Sequence, residues 1–92
     1  MDLNKIIRIS TDVLSQEVSG ETVLLNLKSE NYYGLDEVGT RVWQLLNEYD
    51  DLSVIYSILL QEYDVDEKQL HGDLDEVIKK MLDAKIVQIV TN

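Results

Sequence analysis

The sequence predicts an α+β domain in which a three-stranded antiparallel sheet is followed by three helices. Three observations carry that reading: apolar residues alternate with period two before residue 36, the spacing turns helical after it, and no proline, linker or repeat interrupts the change. Ninety-two residues make a single domain spanning 1–92, since so short a chain cannot support two independent cores.

Each element has its own signal. Residues 21–28 (ETVLLNLK) alternate Val23, Leu25 and Leu27 with Thr22, Leu24, Asn26 and Lys28. This predicts a half-buried strand whose odd-numbered face is the apolar one. Before it, residues 13–18 (VLSQEV) alternate Leu14, Gln16 and Val18, and Ser19-Gly20 between the runs is a hairpin signal. A second tight connection at Ser29-Glu30 leads to a third strand, residues 31–35 (NYYGL), whose aromatics suit a pleated surface. Ile6 to Ile9 reads as a further short strand or, with the rest of residues 1–10, as a terminal arm.

Asp36 caps a first helix with the stripe Val38, Val42, Leu45, Leu46 and Tyr49. Gly39 in its first turn lowers helix propensity and permits close packing. Asp50-Asp51 supplies the next cap, for a helix carrying Leu52, Ile55, Tyr56, Leu59 and Tyr63. Asp66 with Gln69 has the form of a capping box for a long third helix striped by Leu70, Leu74, Val77, Ile78, Met81 and Leu82. Lys79, Lys80 and Lys85 sit where the helix dipole favours cations. Residues 86–90 (IVQIV) form a short extended tail.

Charge and composition exclude whole classes of function. The formal net charge of −10 repels nucleic acid and anionic membranes and favours a partner with some positive charge. Apolar runs are too short to span a bilayer, and no signal segment opens the chain, so a cytoplasmic protein is expected. Cysteine is absent, the four glycines form no phosphate loop, and the acidic runs do not follow a calcium-loop pattern. His71, the one histidine, lacks companions that would make it a metal ligand or a general base. No catalytic residue, metal or cofactor is expected, and Trp43 and Met81 read as core.

The aromatic pair is more informative. Adjacent strand residues face opposite sides, so Tyr33 shares a face with Asn31 and Leu35 while Tyr32 and Gly34 face away. Leu35 immediately precedes the first helix, which puts Tyr33 on the helix-facing side near a sheet edge.

Residues 21–46, with Tyr32-Tyr33-Gly34-Leu35-Asp36 followed by Gly39, Trp43, Leu45 and Leu46, resemble the PqqD-like peptide chaperones. These are the precursor-recognition elements of ribosomally made, modified peptides, and the stand-alone type of lasso-peptide clusters is the most similar. The resemblance extends over roughly residues 10–90, through the LLQEYDVD run, the acidic third helix and the closing apolar tail. It implies a winged-helix-like fold that binds the leader of a precursor peptide as an added strand, in a groove between the third strand and third helix. The implied peptide-binding residues are Leu27, Asn31, Tyr32, Tyr33, Gly34 and Leu35 on one side. On the other they are Leu74, Val77, Ile78, Lys79, Met81 and Leu82. Lys80 and Lys85 would lie at the rim. The implied partners are the leader peptide and the pathway's leader peptidase or other modifying enzyme, such as an ATP-dependent cyclase. Two competing functions fit less well. A DNA-binding winged helix would need a basic third helix, and this one is acidic. An acidic carrier would want Asp-Ser-Leu at a helix start, where this chain has Asp51-Leu52-Ser53.

Overall fold

The computed structural model describes residues 3–90. The first two residues of the expected arm, and the last two of the chain, lie outside the described residues. Five strands and three helices follow in the order β1 (Ile6–Ile9), β2 (Val13–Val18), β3 (Glu21–Asn26), β4 (Asn31–Leu35), α1 (Glu37–Leu46), α2 (Leu52–Glu62), α3 (Glu67–Asp83) and β5 (Val87–Val90). β2, β3 and β4 form the expected antiparallel meander, in that spatial order. The architecture is α+β, with α1 laid against β3 and β4 and α3 against α2 and β5.

Local chemistry explains most element ends. Ser19 and Gly20 both have positive φ, as a two-residue turn between twisted strands requires. The Asp36 carboxylate accepts the Gly39 N–H at 2.8 Å, and the Asp51 carboxylate accepts the Ser53 N–H at 2.9 Å. Asp66 occupies the N-cap position of α3 but makes no side-chain cap hydrogen bond, so the expected capping box does not form. The C-terminus of α3 closes as a Schellman motif, with the Ile86 N–H donating to the Met81 carbonyl and the Lys85 N–H to that of Leu82. Lys85 takes the left-handed conformation, φ 60°, that the motif demands.

Two sequence expectations are corrected in β3. The strand ends at Asn26, not Lys28, because the Asn26 side-chain oxygen accepts the N–H groups of Lys28 and Ser29 and turns the chain. Its buried face is also the even one: Thr22, Leu24 and Asn26 lie under the helices, whereas Val23 and Leu27 are exposed. Asn26 is buried because its amide donates to the Ala84 carbonyl at 3.2 Å, tying the hairpin to the end of α3.

The N-terminal segment is a strand and not an arm. β1 pairs with β5 in a separate antiparallel sheet, from Ile6↔Val90 to Ile9↔Val87. Its other side is held to the α1–α2 turn, where the Ile7 N–H donates to the Asp50 carbonyl and the Leu52 N–H to that of Lys5. Ile7 and Val87 join the core, which otherwise consists of Leu24, the inward faces of the three helices and Ile86. Trp43 is buried there, and Gly39 lets Leu35 pack close, since a Cβ on it would meet the Leu35 Cβ at 3.2 Å.

Candidate peptide-binding site

β4 is the last strand of its sheet, so one of its edges pairs with β3 and the other is open. The register places Asn31, Tyr33 and Leu35 opposite Asn26, Leu24 and Thr22, on the buried side. Tyr33 and Leu35 are half-buried against the core. Two clefts lie at the two ends of this strand, each with α3 as its far wall. At the hairpin end, a cleft of ≈ 500 Å³ is bounded by Lys28, Asn31 and Tyr33 and by residues 83–85. At the α1 end, one of ≈ 220 Å³ is bounded by Asp36 and Val38 and by Asp73, Glu76, Val77 and Lys80. Asp73, Val77, Lys80 and Ala84 follow one another at offsets of 4, 7 and 11, which is a single stripe of a helix. That stripe and the open β4 edge are the two sides of a groove.

Of the residues expected in the site, the structure brings Asn31, Tyr33 and Val77 to this groove, while Leu35 lines neither cleft and packs half-buried against the core beside Gly39. Leu74, Ile78 and Met81 are no more than 1% exposed, so they belong to the core and offer a peptide no surface. The sequence stripe of α3 is real, but its centre faces the protein and only its flank faces the groove. Leu82 lies on the opposite flank, lining a cleft with Val87 and Ile89. Lys79 also points elsewhere, paired with Asp75 at 3.2 Å, and it holds the Asp75 carboxyl below the usual carboxylate range. Leu27 is exposed in the turn after β3 and lines neither cleft. Tyr32 and Gly34 belong to the outer face of the sheet, where Tyr32 is 71% exposed.

Sequence reasoning missed Asp36, Asp73, Glu76 and Ala84 as groove residues and Asn26 as the residue that frames it. The available signal was the row displaced by one residue from the core stripe 70/74/78/81. The groove is acidic at its α1 end, where Lys80 pairs with Glu76 at 3.3 Å and leaves Asp36 and Asp73. At the hairpin end Lys28 and Lys85 face Asp12 and Asp83, with Lys28 3.4 Å from Asp12.

The arrangement can hydrogen-bond an extended chain and bury every second side chain of it. His71 is taken up by packing edge-to-face on Tyr56, with ring centroids 5.9 Å apart. Among the described residues no group of three His, Asp or Glu is placed to hold a metal ion, and no helix is long and apolar enough to cross a membrane.

Comparison with known proteins agrees with this geometry. No curated protein matches the chain. One solved structure, described as TbiB1 in complex with the TbiA(beta) leader peptide, is 32% identical and superposes with a TM-score of 0.84 over 92% of this chain and 99% of its own. A second, lasso peptide synthetase B1 complexed with the leader peptide, is 19% identical and shares the fold, with a TM-score of 0.73 over 89% of this chain and 96% of its own. Residues 21–87 match the family of coenzyme PQQ synthesis protein D. With the meander, the capped helices and the open β4 edge all inside or beside that span, the chain belongs to the PqqD family.

Proposed function

We propose that this protein binds the leader segment of a ribosomally made precursor peptide as a strand added to the β4 edge, and presents it to the enzymes that modify the peptide. One observation carries the reading: the open edge of β4 runs beside the Asp73–Val77–Lys80–Ala84 stripe, so backbone pairing and side-chain burial are available together. TbiB1, 32% identical, was solved with a leader peptide, which supports the same role here. Backbone pairing gives affinity without a strict sequence, and the groove then selects by shape and charge. The leader residues opposite Asn31, Tyr33 and Leu35 turn inward. The chain itself supplies no catalysis and no cofactor. A leader protease and a peptide cyclase act on what it holds, in the cytoplasm where the precursor is synthesised.

Amide hydrogen exchange with and without the TbiA(beta) leader tests this. New protection is expected at Asn31 to Leu35, with side-chain shifts along residues 73–84. Protection at Val13 to Val18, with β4 unchanged, would place the peptide on the other edge of the sheet and refute the assignment.

A further inference from the structure

The meander has a second open edge, since β2 is the outermost strand on the side away from β4. Ser19-Gly20 closes its hairpin as a two-residue turn, so Val18 and Glu21 form a hydrogen-bonded pair and the pattern alternates from there. The Leu27 N–H, which donates to the Asp12 carbonyl at 2.8 Å, continues the same alternation beyond the far end of β2. Ser15 and Glu17 fall between the bonded pairs, and their N–H and C=O groups point away from β3, to the open edge. Their side chains share a side with Leu24 and Thr22, which is the helix side.

Beside that edge, β2, β3 and the end of α1 bound a pocket of ≈ 440 Å³, lined in part by Ser15, Glu17, Thr22, Trp43 and Glu48. Two carboxylates line it, and no lysine, arginine or histidine does. Arg41 reaches as far as Gln44, at 3.1 Å, but its other two nitrogens are held by Glu62. Thr22 is 1% exposed, and its hydroxyl oxygen is buried without a hydrogen-bond partner. Leaving a buried hydroxyl unpaired is costly, so one on a pocket wall points to a ligand that completes it. Glu17 stands directly opposite Thr22 in the strand register and accepts a hydrogen bond from the Gln44 amide. That donor is neutral. A cation taking its place makes a stronger, charge-assisted bond.

We infer that the β2 edge is a second binding site, for an extended segment of a partner protein that carries a lysine or arginine. The segment pairs with the backbone of Ser15 and Glu17, and residues directly opposite one another in an antiparallel pair point to the same side. Its side chain opposite Glu17 therefore enters the pocket. An ammonium or guanidinium there meets the carboxylates of Glu17 and Glu48 and donates to the Thr22 hydroxyl. Trp43, on the same wall, is the ring type that attracts cations most strongly. The net charge of −10 draws a basic segment towards this edge. The site lies two strands, roughly 10 Å, from β4, and it does not depend on the leader-binding reading.

The test is an NMR titration of the full chain with three probes: the capped peptide acetyl-Ser-Val-Lys-Val-Ser-amide, the same peptide with norleucine for lysine, and n-butylammonium alone. The lysine peptide should shift the Ser15 and Glu17 amides and the Trp43 indole N–H, with the other two probes at least about tenfold weaker. Glu17 and Glu48 are exposed, so Glu17→Gln combined with Glu48→Gln leaves the fold intact and should abolish the preference for lysine. Thr22→Val deletes the unpaired hydroxyl, so it should raise Tm while weakening the lysine peptide. The TbiA(beta) leader, held at β4, should not displace that peptide. Equal affinity for the lysine and norleucine peptides overturns the inference, because the edge then pairs without using the pocket. Binding of n-butylammonium as tight as that of the lysine peptide also overturns it, leaving a site for small cations only. So do an absence of shifts along β2, a lysine preference that survives the double variant, and displacement by the leader. Thr22→Val with a lower Tm and unchanged binding overturns it too, since the hydroxyl then serves the fold. A chain that fails to bind the leader refutes the proposed function and leaves this site standing.

Discussion

Val77 and Ile78 are neighbours on α3, yet they should answer the same substitution in opposite ways. Ile78 has no exposed surface, whereas Val77 is half-buried on the groove wall. Removing the apolar side chain of a buried isoleucine costs about 2–5 kcal/mol, and an unpaired carboxylate in its place adds several more. A 92-residue domain is stable by roughly 5–14 kcal/mol, so Ile78→Asp removes most or all of that margin. Val77→Asp gives up about half of a valine's ~1.5 kcal/mol burial and lowers Tm by several degrees. Its larger effect falls on the leader. The other half of that burial is lost on binding, and a carboxylate is desolvated without a partner at about 2 kcal/mol. The sum, about 2–3 kcal/mol, is a roughly 30- to 150-fold weaker complex. Circular dichroism melts followed by titration with the TbiA(beta) leader measure both quantities. A folded Val77→Asp protein that binds as tightly as wild type would refute the groove assignment. An Ile78→Asp protein as stable as Val77→Asp would refute the division of the helix into core and groove faces.

Two further outcomes follow from the framework around the groove. Asn26→Ala removes two accepted hydrogen bonds and the one donated to the Ala84 carbonyl. At about 1 kcal/mol each, Tm should fall by roughly 10–20 °C, with lost exchange protection at Lys28 and Ser29; an unchanged melt contradicts the role given to Asn26. Glu62 pairs with Arg41 at 2.5 Å, and that hydrogen bond holds its carboxyl below the usual range. A lowered folded value means stabilisation that is present above the unfolded carboxylate value of about 4.3 and lost as pH falls through the folded one. Both side chains are 34% exposed, so Glu62→Gln should cost under about 1 kcal/mol at neutral pH, and the difference should close in acid. A difference that widens in acid melts would show the sign to be wrong.

The helices and the hairpin were legible in the sequence because their determinants are local. Asp36 and Asp51 bond to amides two or three residues on, Ser19-Gly20 fits its turn through its own backbone freedom, and the 3.6-residue stripes are written into the chain. Tyr33 could be assigned to the helix side by parity alone, counting back from Leu35. The tertiary structure decided the rest. β3 has apolar residues on both faces, and alternation cannot say which face the helices cover: Leu24 is buried, while Val23 stays exposed. Which flank of α3 meets β4 depends on the helix's rotation about its own axis, set by where Leu74, Ile78 and Met81 find the core. The pairing of β1 with β5 joins residues more than 75 positions apart, and two short apolar runs carry no local mark of their register. Local periodicity fixes which residues share a face; only packing fixes what that face meets.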